Sequence, residues 1–445
     1  MTTQLKYKTK ALDCWQWGKE LRLEAYQDLV TGHERGKLLI LGCAASPYGM
    51  LAGLGDFVFL AGEPYGASVA ADPPFSIPCM EAYEAKGYAR DMCGYMRNFL
   101  GSMFLDKYYF TGGPFPKFDF AWSVRHCPAG HPKWHQIVAD YQGIPMNYID
   151  DETMLTCEGD QQHRIDYVAG QYLDSIEWME KVTKRKFDDE KAIEAMRNYF
   201  RNEALWGEIN LLNSAVPAPL DIKSYFALMP IPMLRRHEKV ATQFLETLRD
   251  ELKDRIAHQI AAVPNERYRM CMLTPPPWSF LKIFRYLENF GVVFVGTYVY
   301  LINSGEVKFL YDENRVIPAV VPEERPGWPR MKNREDLCRT VARWRAEHPF
   351  QSHLDARKKE FHIIFRHWNG NAYLLLLNRG CVPMTTSMYD FQRDLQKDGI
   401  PVSMFEGNFA DCRDIDETGV LDRLEAFLEG QGIYKLRDAA PGIKE

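Results

Sequence analysis

The sequence predicts an α/β protein in which two parallel-sheet domains flank a helical middle segment. Three observations predict it. Short apolar runs alternate with helical stretches in the first 150 residues and again after about residue 265, as strands joined by helical crossovers do. Residues from roughly 160 to 260 carry helical periodicity with no strand-like run. The length of 445 residues leaves room for two to four domains.

Each element has its own signal. Residues 37–42 (KLLILG) are an apolar run closed by Gly, a buried parallel strand, and 56–60 (DFVFL) form a second. Residues 81–104 read as helical. Residues 117–126 (KFDFAWSVRH) form a strand that Cys127 and Pro128 end, 131–141 a short helix, and 144–149 (IPMNYI) the next strand. In the middle, Glu, Lys, Arg, Ala and Leu recur at helical spacing over 165–182, 188–213 and 237–260, punctuated by Pro217 and Pro219. A strand at 267–273 ends before three prolines at 275–277, and a helix (278–289) and a strand (291–300) follow. A helix at 333–347, a strand at 372–378 (AYLLLLN), a helix at 388–397, a strand at 400–405 and a helix from about 418 to 428 complete the chain. The boundaries are 1–158, 159–262 and 263–445, and both sheet domains are flavodoxin- or Rossmann-like. The halves echo each other: HCP, a helix and GIPMNYIDDE against GC-VP, a helix and GIPVSMFEGN. Cysteine and the next Gly-Ile-Pro lie 16 residues apart in one (127 to 143) and 18 in the other (381 to 399), a weak duplication of one α/β unit.

Composition narrows the function. Hydrophobic residues make up 46% and charged residues 26%, which suits large buried cores and excludes disorder. With 54 Lys and Arg against 60 Asp and Glu, the net charge of −6 excludes a strongly basic nucleic-acid binder. The first residues lack the apolar core of a secretory signal, and the longest apolar stretch, 292–302, falls short of the ~20 residues a bilayer needs. A cytoplasmic protein without membrane contact is expected, and its ten cysteines are then not expected to form disulfides. No G-x-G-x-x-G, P-loop or G-x-S-x-G motif occurs, so dinucleotide binding, an ATP site and serine hydrolysis are all disfavoured.

In open α/β sheets, ligands bind beyond the carboxyl ends of the strands. Cys43, Cys127 and Cys381 fall just past such ends, and Cys93 falls near a helix start, where a thiolate is favoured. Three such sulfurs could converge on an iron–sulfur cluster, leaving one iron open as catalytic zinc keeps an open position. There is no C-x2-C, so distant loops would have to assemble it. Cys43 competes for this role, because its strand-Gly-Cys context matches that of Cys381. Cys271 reads as core and Cys338 as packed on a helix, while Cys14, Cys79, Cys157 and Cys412 have no partner at ligand spacing. His126, His131 and His135 surround Cys127. Zinc would need two or three of them with a cysteine, and Pro132 is expected to leave His131 ahead of the helix. As proton donors, His126 and His131 are the candidates.

The layout resembles the 2-hydroxyacyl-CoA dehydratase and benzoyl-CoA reductase superfamily, and within it the larger cluster- and substrate-binding subunit of the ATP-dependent benzoyl-CoA reductases. The resemblance spans about 35 to 430. It is carried by GEPYGA, GYARDMCGYMRNFLG, the strand ending RHCP, and NRGC…DGIPVSMFEGN…DRLEAFLE. It implies a [4Fe–4S] cluster on Cys93, Cys127 and Cys381, with Cys43 outside the set. Dehydratases commonly carry Asp after the second cysteine; Pro128 stands there here, which favours the reductase branch. The activity implied is reduction of benzoyl-CoA to a cyclic dienoyl-CoA by single-electron and proton steps. The partners implied are a smaller paralogous cluster subunit, ATP-hydrolysing electron-activating subunits, and ferredoxin as upstream donor. The alternatives are a subunit of a radical 2-hydroxyacyl-CoA dehydratase, a non-catalytic iron–sulfur electron-transfer or scaffold subunit, and a zinc-binding or metal-free binding module.

Overall fold

The computed structural model describes residues 5–125, 130–150, 161–302, 307–347 and 354–436. His126, Cys127 and Cys157 lie outside the described residues.

Four strands of the first half, β1 (Leu38–Gly42), β2 (Phe57–Ala61), β3 (Phe120–Val124) and β4 (Met146–Ile149), form a parallel sheet in the order β2-β1-β3-β4. In the second half, β5 (Tyr268–Met272) and β6 (Val292–Thr297) precede a small antiparallel hairpin of β7 (Val307–Leu310) and β8 (Arg315–Pro318). With β9 (Ala372–Asn378) and β10 (Val402–Gly407), they make a second parallel sheet ordered β6-β5-β9-β10. Both sheets thus follow the order 2-1-3-4, the flavodoxin-like winding, and the duplication seen in short motifs is a duplication of topology. Every residue of β1, β2, β3, β5 and β6 is buried, because crossover helices cover both faces.

The middle segment is helical as expected, with helices Gln161–Thr183, Asp189–Leu211, Ile222–Leu228, Pro230–Leu234 and Lys239–Ala257. Carboxylate caps start two of them: Asp188 accepts from the Lys191 amide, and Asp221 from the amides of Lys223 and Ser224. The segment is tied into both halves. Arg236, fully buried, pairs with Glu203 at 2.9 Å, its amide donates to the Tyr48 hydroxyl, and the Trp344 indole donates to Glu203. One hydrophobic core runs through all three parts. Among the described residues, no helix is long and apolar enough to cross a membrane.

Several expectations need correction. Residues 81–104 are not one helix. Helix Pro73–Ala85 ends, the chain turns, and helix Gly94–Phe104 returns against it. The contact is so close that a Cβ on Gly101 would sit 1.9 Å from the Cys79 carbonyl oxygen, which sequence periodicity alone does not reveal. The strand expected to reach residue 300 stops at Thr297, and Tyr298–Ile302 is helical. His131 is the first residue of helix His131–Gln142 rather than ahead of it. Pro132 fits the first turn, where no amide is needed. Helices Trp15–Thr31, Gly62–Ala70 and Leu354–His367 and the β7–β8 hairpin were not expected.

Candidate active site

The carboxyl ends of both sheets open on one small cavity of about 70 Å³. Glu63 reaches it from just after β2, His131 from the helix that follows β3, Tyr300 from after β6, Cys381 from after β9 and Phe409 from after β10. Cys93 and Tyr95 enter from the long β2–β3 connection, and Met229 and Met233 from the middle segment. A larger, more open depression of about 430 Å³ lies by β2, lined by Lys37, Asp56, Lys191 and Glu238 among others. It holds mixed charges and no thiol.

Cys93 immediately precedes helix Gly94–Phe104, and its carbonyl accepts the Arg97 amide at 3.0 Å. Cys381 immediately precedes the short helix Val382–Thr385. The loops of these two cysteines touch across the halves: Gly380 has φ +81, and a Cβ there would fall 2.5 Å from the Met92 carbonyl oxygen. Both residues are partly exposed. Burial pushes the Cys93 thiol up; burial and the charge of Cys93 push Cys381 up to about 12. Two thiols brought from the two halves to the wall of one cavity are the soft donors that an iron–sulfur group takes. The described donors therefore fit an iron–sulfur group.

Behind Cys93 lies a four-residue charge network. Arg97, fully buried, donates to Glu84 at 2.7 Å and to Asp411 at 2.8 Å, and Arg413 bridges the same two carboxylates at 2.6 and 2.8 Å. Asn98 adds a bond from its side-chain amide to the Ala410 carbonyl. The helix that follows Cys93 is thereby pinned to the segment after β10.

A second cluster lies in the wall. The His131 Nε2 is 3.1 Å from Glu63 Oε1, and the Ala44 amide donates to the same carboxylate at 3.0 and 3.2 Å. Ligand atoms of Cys43, Glu63 and His131 all lie within 4.8 Å of one another, so this set could also hold a metal ion such as zinc or ferrous iron. Burial works against charge on His131, but the Glu63 carboxylate and Cys43 outweigh it and hold the imidazole well above its ordinary range. His135 stacks on His131 at 5.8 Å; burial and the charge of His131 hold it well below the ordinary range. His131, a proton-donor candidate from the sequence, is thus paired with a carboxylate, Glu63. Cys43, set aside by the family resemblance, stands in this cluster and not in the core alone. Glu63 was missed, although GEPYGA had been singled out; it follows β2 as Cys43 follows β1, and the strand-end rule would have found it. Cys271 and Cys338 are fully buried, as expected.

Comparison with known proteins bears on this geometry. Residues 67–430 match the family model for 2-hydroxyglutaryl-CoA dehydratase, D-component. The chain is similar to the (R)-2-hydroxyisocaproyl-CoA dehydratase alpha subunit of Clostridioides difficile, 25% identical over 415 residues, which is 92% of this chain and 94% of that one. It is also similar to the (R)-phenyllactyl-CoA dehydratase alpha subunit of Clostridium sporogenes, 25% identical over 370 residues (82% and 83% of the two chains). To the (R)-2-hydroxyglutaryl-CoA dehydratase subunit alpha of Acidaminococcus fermentans it is 24% identical over 328 residues, 73% of this chain and 62% of that one.

Proposed function

Because the chain belongs to the 2-hydroxyglutaryl-CoA dehydratase D-component family, we propose that it is the cluster-bearing subunit of an enzyme complex that removes water from an (R)-2-hydroxyacyl-CoA. The observation that carries the reading is the convergence of Cys93 and Cys381, one from each half, on one cavity beside the Glu63–His131 pair. The sequence's leading expectation, reduction of benzoyl-CoA, gives way to its first alternative, since the relatives found are dehydratase subunits that cover most of this chain. Reduction of benzoyl-CoA stays the second reading because Pro128 follows Cys127.

Loss of water breaks the C2–O bond and removes a proton from C3, with no net electron consumed. Held by Cys93, Cys381 and, as the resemblance assigns it, Cys127, a [4Fe–4S] cluster would supply one electron at a time, at potentials that can reach ~−700 mV. The chain's own groups do the rest. The Glu63–His131 pair holds a proton at the cavity wall, to give to the departing hydroxyl, and would regain one from C3–H. Met229, Met233, Val299, Met384 and Phe409 make that wall apolar and exclude the water that would quench a ketyl radical. The relatives are alpha subunits, and the family resemblance implies a second, paralogous subunit and a separate ATP-hydrolysing activator to complete the complex.

The test is turnover by the anaerobically purified complex with its activator, ATP and reductant, offered (R)-2-hydroxyisocaproyl-CoA or benzoyl-CoA. Formation of the 2-enoyl-CoA from the first is expected. A cyclic dienoyl-CoA from the second, with the first untouched, would overturn the reading in favour of the reductase.

A further inference from the structure

Three aromatic side chains from three short helical segments form a hydrogen-bonded chain into the cavity. The Trp278 indole N–H donates to the Tyr95 hydroxyl at 2.6 Å, and the Tyr95 and Tyr300 hydroxyls are 3.1 Å apart. Tyr95 and Tyr300 line the cavity with Cys93 and Cys381, while Trp278 stands behind them. Packing fixes all three. Phe226 meets Trp278 edge-on at 5.4 Å and Tyr300 at 5.9 Å, and Phe409 lies 4.2 Å from Tyr95. Tyr95, Trp278 and Tyr300 are all buried.

Counting protons gives this chain a direction. An indole N–H can only donate, so Tyr95 must accept from Trp278. The two phenols own two protons, and their mutual bond uses one. A hydroxyl that already accepts is the better donor, so Tyr95 donates to Tyr300. The Tyr300 proton is then left over, and no further partner for it occurs among the described residues. It lies at a predominantly apolar wall, where a stray donor costs stability unless something polar meets it. Burial pushes the Tyr300 phenol up, so it stays a neutral donor.

Resting on the dehydratase reading above, we propose that Tyr300 is a catalytic residue whose hydroxyl donates a hydrogen bond to the thioester carbonyl oxygen of the bound acyl-CoA, with Tyr95 as its positioning residue. That oxygen gains charge when an electron enters the thioester, and one fixed donor in a water-poor site is most effective where charge develops. The role differs from that of Glu63 and His131: Tyr300 holds its proton throughout and polarises the acceptor.

The test is infrared difference spectroscopy of carbonyl-13C-labelled (R)-2-hydroxyisocaproyl-CoA bound to the intact anaerobic complex. In Tyr300→Phe, which keeps the ring against Phe226, the labelled carbonyl band moves to higher wavenumber than in the wild type, and kcat falls by about 10²–10³-fold with KM little changed. Tyr95→Phe leaves the Tyr300 hydroxyl in place but unguided, and its band moves less. The same band position in wild type and Tyr300→Phe, with label bound to both, overturns the inference and leaves the dehydratase reading standing. If the wild type binds neither this thioester nor labelled benzoyl-CoA, the functional reading falls and takes the inference with it.

Discussion

Replacing Arg97 by Met removes the centre of the network that pins the Cys93 helix to the second half. The guanidinium is fully buried and makes charge-assisted bonds to Glu84 at 2.7 Å and Asp411 at 2.8 Å. Breaking a buried pair by deleting one partner costs about 3–5 kcal/mol. Arg413 stays on both carboxylates, at 2.6 and 2.8 Å, so the loss belongs at the lower end, about 3 kcal/mol. The assay is amide hydrogen exchange in helix Gly94–Phe104, which reads local opening rather than global unfolding. A cost of about 3 kcal/mol corresponds to exchange faster by roughly two orders of magnitude. The effect has a definite pH sign. Burial pushes the Asp411 carboxyl up, but the bond from Arg413 and the charges of Arg97 and Arg413 outweigh it and hold it below its ordinary value. Glu84 is held down in the same way by both arginines. The network is therefore complete above the ordinary carboxylate range, about pH 4, and is lost as pH falls through the depressed values. Exchange in Arg97→Met within a few-fold of wild type at neutral pH would refute the reasoning.

Other perturbations test other parts. Gly380→Ala puts a Cβ 2.5 Å from the Met92 carbonyl at a backbone angle of +81°. With about 1–2 kcal/mol of left-handed strain added, it should push the Cys381 loop off the Cys93 loop and lower the iron retained per chain after anaerobic purification; full retention would contradict the contact. His237 is held down to about 4 by burial, against 6.5 when exposed, so the unfolded chain takes up the proton first as pH drops. Stability is full above about pH 6.5 and falls through the window down to about 4, by about 3 kcal/mol. His237→Phe keeps the 4.6 Å stack on Phe57 and should flatten that slope in urea titrations, and a slope like that of wild type would refute it. Glu63→Gln leaves the two described cavity thiols in place and removes the carboxylate that faces His131. Turnover should fall by about 10²–10⁴-fold with acid-labile sulfide per chain unchanged, and undiminished turnover would remove the pair from the mechanism.

The fold was legible because its strongest signals are local. KLLILG and AYLLLLN are buried strands with no other reading, and the two GIP turns led to a duplication that the matching strand orders bear out. The elements that sequence misjudged are those settled by tertiary contact. The turn between helices Pro73–Ala85 and Gly94–Phe104 depends on Gly101 meeting the Cys79 backbone, a contact invisible to periodicity. The site was legible where a cysteine follows a strand or opens a helix, as at Cys381 and Cys93. It was less so where chemistry arises only from convergence. Glu63 gains its place from His131 within the first half, and Tyr300 from Trp278 and, across the halves, from Tyr95, residues that only the fold brings together.

The most direct measurement of the central claim is iron and acid-labile sulfide per chain, with the electron paramagnetic resonance spectrum of the reduced state, after anaerobic purification of wild type, Cys93→Ala and Cys381→Ala. The account predicts one cluster's worth in wild type, its loss in each variant although the two cysteines sit in different halves, and a signal that changes when (R)-2-hydroxyisocaproyl-CoA is added. A wild-type cluster signal that survives both substitutions unchanged would show that these two sulfurs do not share one metal centre.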